Sequence, residues 1–141
     1  MVGGQVLDLQ AEDARLDAEA LDTLHRLKTG ALIVASLRIG GLAADTSPPV
    51  MEALDRFGHS LGLAFQIADD VLDATSSAGE LGKNPSDRAL GKSTYVSLHG
   101  LEEARRLGEM EVSRALDALA GVPGDSDVLG ALARYVTSRR K

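Results

Sequence analysis

Hydrophobic residues along the chain recur at three- and four-residue intervals, the spacing of helices with one buried face, with little of the strict alternation that marks strands. Leu7, Leu16, Ala20, Leu24 and Leu27 predict a first helix over residues 5–27. Lys28-Thr29-Gly30 interrupts it, with a kink expected at Gly30. A second, more apolar helix is predicted over 31–44, ending in Asp45-Thr46-Ser47-Pro48-Pro49, where Ser47 is placed to cap the next helix ahead of a proline. That third helix, over 48–74, carries Val50, Leu54, Phe57, Leu61, Ala64, Ala68 and Val71 on one side, and Gly58 and Gly62 one turn apart permit a neighbouring helix to approach closely. Residues 75–87 read as a loop rich in Ser, Gly, Asn and Pro. Two last helices, over 101–120 and 125–139, flank Gly121-Val122-Pro123-Gly124. The expected fold class is all-α.

Composition agrees with helix-on-helix packing: 44% of the 141 residues are hydrophobic but only 3% aromatic, which favours closely spaced Ala- and Leu-lined helices in a single domain. A formal charge of −6 argues against nucleic acid as a partner, because phosphate backbones require clustered Lys and Arg. The absence of cysteine excludes disulfides, thiolate zinc sites and Cys nucleophiles, and agrees with a cytoplasmic location. The most apolar window, 31–44, contains Arg38 and falls short of the ~18 residues of a membrane span. No signal peptide is apparent. His25, His59 and His99 have no ligand-spaced partner, Asp22 and His25 read as a surface pair, and the run Glu102, Glu103, Arg105, Arg106, Glu109, Glu111 reads as a solvated helix face.

Chemistry concentrates in Phe65-Gln66-Ile67-Ala68-Asp69-Asp70-Val71-Leu72-Asp73. At about 100° per residue, Gln66, Asp69, Asp70 and Asp73 share an arc of roughly 100°, opposite Phe57, Leu61, Ala64, Ala68 and Val71. Asp69 and Asp73 repel each other one turn apart, and a location near a helix C-terminus adds to that cost. A divalent cation would relieve both. Hard oxygen donors without Cys or His point to Mg²⁺, which takes one or two carboxylates and fills its octahedron with water and phosphate oxygens, so a diphosphate ligand is implied.

This segment, followed by Leu81-Gly82-Lys83 and Gly91-Lys92-Ser93-Thr94-Tyr95, resembles the second aspartate-rich region of the trans-isoprenyl (polyprenyl) diphosphate synthases. Gly4-Gln5-Val6-Leu7-Asp8-Leu9 and Lys28-Thr29-Gly30-Ala31-Leu32-Ile33 resemble two further signatures of that family. The resemblance implies an isoprenoid-synthase-type helical bundle. Its first aspartate-rich motif and arginine pair precede the Gly-Gln-x-x-Asp-Leu segment in the family, so residues 1–141 look like the C-terminal part of a polyprenyl synthase domain. It further implies a prenyltransferase that condenses an allylic prenyl diphosphate with isopentenyl diphosphate, with Mg²⁺ as cofactor held by Asp69 and Asp73.

By the same resemblance, Lys28, with Thr29 beside it, contacts the allylic diphosphate, and Lys83 and Lys92 reach the same group, although each of these two alone reads as a solvated loop lysine. Gln66, Asp69 and Asp70 belong to the catalytic set. Gln5, Asp8, Phe65 and Asp87 join Lys28, Gln66, Lys83 and Lys92 in the substrate-binding set, with Asp87 supporting the metals indirectly. Arg139 and Lys141 either echo a basic terminus near the second substrate or form a solubilising end. Family members are commonly homodimers, so association with a second copy or with another synthase subunit is expected. Two rivals stand beside the enzyme: a non-catalytic helical subunit that retains the scaffold, and a misassigned start at Met1 that hides an upstream half.

Overall fold

A computed structural model describes residues 2–10, 15–79 and 93–139. These form α1 (Val2–Gln10), α2 (Ala18–His25), a π-helical turn (Arg26–Gly30), α3 (Ala31–Ala43), α4 (Pro48–Gly79), α5 (Tyr95–His99), α6 (Leu101–Leu119) and α7 (Asp127–Ser138). No strand occurs among the described residues, and no helix there is long and apolar enough to cross a membrane.

The helix expected over 5–27 is two helices. Asp17 has extended backbone (φ −79°, ψ 176°), and its carboxylate accepts the Ala20 N–H at 2.9 Å, an N-cap that starts α2 afresh. The Leu16-to-Ala20 spacing masked this boundary. At Lys28-Thr29-Gly30 the chain does not break: His25, Gly30 and Ala31 all keep right-handed helical dihedrals. Helix therefore runs on from Ala18 to Ala43 with one wide turn inserted, a feature often found at functional positions.

After α3 the chain turns at Asp45, whose φ of 51° is left-handed, while the Thr46 N–H and hydroxyl both donate to the Gly41 carbonyl at 3.0 Å. Ser47 then precedes Pro48, and its carbonyl accepts the Met51 N–H. Helix α4 outruns its expected end by five residues, because the Thr75 hydroxyl donates back to Val71 and Leu72 carbonyls within the helix and so does not divert the backbone into a turn. From Glu80 onward the expected loop lies outside the described residues. The short helix α5 was not expected. Thr94 and Ser97 build a capping box around it, too brief to show a period.

Helix α4 is the axis of the molecule and packs against α2, the π-turn, α3, α5, α6 and α7. Phe57, Leu61, Ala64 and Ala68 meet Val112, Ala115, Ala118 and Leu119 of α6 and Ala133 and Val136 of α7 in the main core. Ala64, Ala115 and Ala133 are wholly buried, so helices approach closely and each gains more from contact density than from area. On its other flank α4 runs alongside α2–α3. A Cβ on Gly62 would come within 2.8 Å of the Gly30 Cα, so this glycine is needed for the approach, while one on Gly58 would press on the flexible end of Leu37 at 2.7 Å. Arg38, which interrupts the apolar window, grips Asp55 of α4 through two hydrogen bonds of 2.7 Å. Apolar side chains remain outside: Leu32, Ile39 (68% exposed) and Leu42 (72%) on α3, and Val2, Val6 and Leu9 on α1.

Candidate active site

Gly62 against Gly30 sets the level of the site. One turn further along α4, Gln66 lies beside His25, and Asp69 and Asp73 continue the same stripe. Because α4 extends to Gly79, the aspartates sit well inside the helix and not at its C-terminus. The dipole cost expected for them is correspondingly smaller, since that field falls off within the last turn.

The expected repulsion within the cluster is also partly relieved by the protein itself. Asp69 forms an ion pair with Arg139, which follows α7. The Arg139 guanidinium lies 4.1 Å above the Phe65 ring and donates to the Phe65 carbonyl at 3.4 Å. Asp70 accepts the backbone N–H of Tyr95 at 2.7 Å, fastening the start of α5 to α4. Asp73 is exposed one turn beyond Asp69.

Around the π-turn, Lys28 Nζ donates to Asp8 of α1 at 2.8 Å, with the Lys28 side chain 35% and the Asp8 side chain 16% exposed. Two predicted substrate residues thus meet as an ion pair. Helix α1 can dock there because Gly4 has no side chain: a Cβ would lie 2.3 Å from Lys28 N. Thr29 is half-buried on the turn, and Gln5 is exposed on α1. Lys83, Asp87 and Lys92 lie outside the described residues.

Asp22 and His25 are not a surface pair. His25 is buried and stacks on Tyr95 (ring centroids 5.6 Å apart, 17° between planes), and His99 stacks on the same ring at 6.0 Å. Two of the three histidines thus gather around one phenol, in a stack and not as metal ligands. The Tyr95 hydroxyl donates to Asp22. Burial, with the Asp22 carboxylate adding to it, pushes the phenol above its usual range, so Tyr95 remains a donor. Burial pushes His25 down to about 4, Lys28 adding to the fall while Gln66 and Asp22 oppose it. Neither His25 ring nitrogen has a hydrogen-bond partner among the described residues. Ser93 extends this clasp, its hydroxyl accepting the Leu16 N–H at 2.9 Å. Glu111 also departs from expectation: it is buried and paired with Arg114, so the charged run of α6 is solvated only in its first turns.

The sequence hinted at Tyr95 through its place in the Gly-Lys-Ser-Thr-Tyr run, but its partner Asp22 lies 73 residues away. No local period reports such a contact. Asp69 and Asp73 offer hard oxygens at one-turn spacing. Among the described residues no three His, Cys, Asp or Glu side chains gather to hold a metal. The donor set therefore suits Mg²⁺ only where phosphate oxygens and water complete the shell.

The polyprenyl synthetase family model matches residues 1–120. The chain belongs to the polyprenyl synthetase family. It is 44% identical over 146 aligned residues to farnesyl diphosphate synthase of Escherichia coli, an alignment that covers all of this chain and 49% of the relative. A polyprenyl synthase from Caulobacter crescentus superimposes with a TM-score of 0.83 at 26% identity, over 99% of this chain and 56% of the other. A geranyltransferase from Helicobacter pylori, solved with magnesium and isoprenyl diphosphate, superimposes at 0.75 with 32% identity, over 98% of this chain and 46% of the other. The chain thus has the helical fold of this prenyltransferase family over about half the length of the curated relatives it matches.

Proposed function

We propose that this chain is the half of a prenyltransferase that carries the second aspartate-rich motif, acting on an allylic prenyl diphosphate and isopentenyl diphosphate. The observation that carries the reading is the stripe Gly62, Gln66, Asp69, Asp73 on α4, packed against the helix whose π-turn bears Lys28. Hard-oxygen donors on one helix and a cation on its neighbour are what a diphosphate bound with Mg²⁺ requires. Magnesium, when bound, supplies charge stabilisation to a departing diphosphate. Asp69 and Asp73 would hold it, and Lys28, released from Asp8, would share the same negative charge. Phe65, beside Asp69 on α4, would help keep water from a reactive allylic group. Lys83, Asp87 and Lys92 enter through the resemblance alone.

A prenyl-transfer assay with radiolabelled isopentenyl diphosphate tests the reading. The chain alone is expected to turn over thousands-fold more slowly than a whole synthase, because one of two opposed metal clamps is a loss of several kcal/mol at ~1.4 kcal/mol per decade. Adding a helical half with the first aspartate-rich motif should restore turnover. Failure of every such combination, with both halves folded, would contradict the proposal.

The exposed Leu32, Ile39 and Leu42 of α3 favour a second reading, in which the chain is a non-catalytic subunit that associates with another synthase chain or a second copy. Co-expression followed by sedimentation distinguishes a stable complex from a solitary chain.

A further inference from the structure

We infer that His25 is a positioning residue for Gln66: the buried imidazole takes the Gln66 amide oxygen as its partner and so presents the amide NH₂ to an anionic oxygen bound at the α4 stripe. The inference rests on the diphosphate reading of that stripe. Close contact between Gly30 and Gly62 brings the two helices together. His25 lies one turn before that contact on one helix and Gln66 one turn after it on the other, so their side chains meet.

His25 is a fixed group whose bonding capacity is unspent. Only 8% exposed, it stacks on Tyr95, and Tyr95 is itself held at both ends, its hydroxyl by Asp22 and its backbone N–H by Asp70. Neither imidazole nitrogen has a hydrogen-bond partner among the described residues, and burial keeps the ring neutral, while Gln66 acts against that burial as an acceptor facing the ring does. A neutral imidazole carries one N–H and one bare nitrogen. With neither committed elsewhere, the proton can reside on the nitrogen that faces Gln66, and a rotation of the amide closes the bond.

Electrostatics decides which end of the amide each partner receives. An amide that turns over exchanges donor for acceptor, and its oxygen would repel a diphosphate oxygen. The His25 N–H on the amide oxygen, with the NH₂ toward the anion, is the arrangement in which every donor meets an acceptor. Without the imidazole, ordering the amide falls to the ligand and is drawn from its affinity.

A double-mutant cycle, read by calorimetric titration of inorganic diphosphate in the presence of Mg²⁺, tests this. His25→Phe keeps a ring against Tyr95 and removes the N–H, and Gln66→Met keeps the length of the side chain and removes the amide. His25→Phe alone is expected to weaken diphosphate binding about fivefold, the ordinary net worth of one hydrogen bond, but to make no difference in Gln66→Met. A residue that merely packs would lower affinity by the same factor in both backgrounds. That result, or wild-type affinity in a folded His25→Phe, overturns the positioning role and leaves the diphosphate reading standing. Nitrogen NMR spectra of the isotope-labelled wild-type imidazole need no variant to fold: with Mg²⁺ and diphosphate bound a single neutral tautomer is expected, and two tautomers in exchange would overturn the role. Absence of diphosphate binding by the wild type removes the diphosphate reading and the positioning role together.

Discussion

The core around α4 and the seat of α1 at the π-turn are held by different forces. Toward α6 and α7, α4 buries Phe57, Leu61, Ala64 and Ala68 in a continuous apolar core, and the Asp69–Arg139 pair ties the residue after α7 to α4. At the π-turn, α1 buries only Gly4 among its described residues and leaves Val2, Val6 and Leu9 in solvent, and Lys28–Asp8 is a polar tie to the turn. In both places a residue assigned to diphosphate chemistry is held by an internal opposite charge, once on a rigid frame and once on a lightly attached helix.

The sharpest way to break the comparison is to truncate one apolar side chain in each region. Phe57→Ala is expected to cost about 3–5 kcal/mol in urea unfolding, whereas Val6→Ser on α1 should stay within about 0.5 kcal/mol. Comparable losses at the two positions would remove the distinction.

His25, at the end of α2 beside the π-turn, gives the next largest effect. It titrates near 4 in the fold and near 6.5 when unfolded, so between those values the unfolded chain binds more protons and stability rises with pH. The contribution is complete above about 6.5 and disappears as the pH falls toward 4. Between pH 7 and 5 the wild type should lose about 2 kcal/mol more than His25→Gln. Parallel pH profiles for the two chains would show that the imidazole is not buried as a neutral group.

A smaller effect sharpens the comparison from the α1 side. Gly4→Val puts a side chain into the Lys28 backbone and should undock α1 at a cost of about 1 kcal/mol. The melting of the α4–α6–α7 core should change little, while hydrogen exchange in residues 2–10 should rise. An unchanged exchange pattern would mean that α1 docks in some other way.

Legibility from sequence follows the range of the forces involved. Helices α3, α6 and α7 and the glycine approach at Gly58 and Gly62 were readable because burial imprints a local period. The Asp17 cap lay within a spacing that continued across it, and α5 was shorter than any period. At the site, the aspartate stripe was readable as one face of one helix. Its partners were not, because Arg139 lies 70 residues from Asp69 and Tyr95 lies 25 from Asp70. Sequence read the acids as mutually repulsive, whereas the fold brings Arg139 to one and a backbone N–H to another.

The most direct test of the central claim, that the α4 stripe binds a metal–diphosphate pair, is thermal unfolding of the chain with Mg²⁺, with inorganic diphosphate, and with both at millimolar concentration. The two together should raise Tm by about 2–5 °C more than the sum of the separate shifts, the linkage expected when each ligand completes the other's site. Asp69→Asn should abolish that excess. An additive response in the wild type, or an excess that survives in Asp69→Asn, would contradict the account.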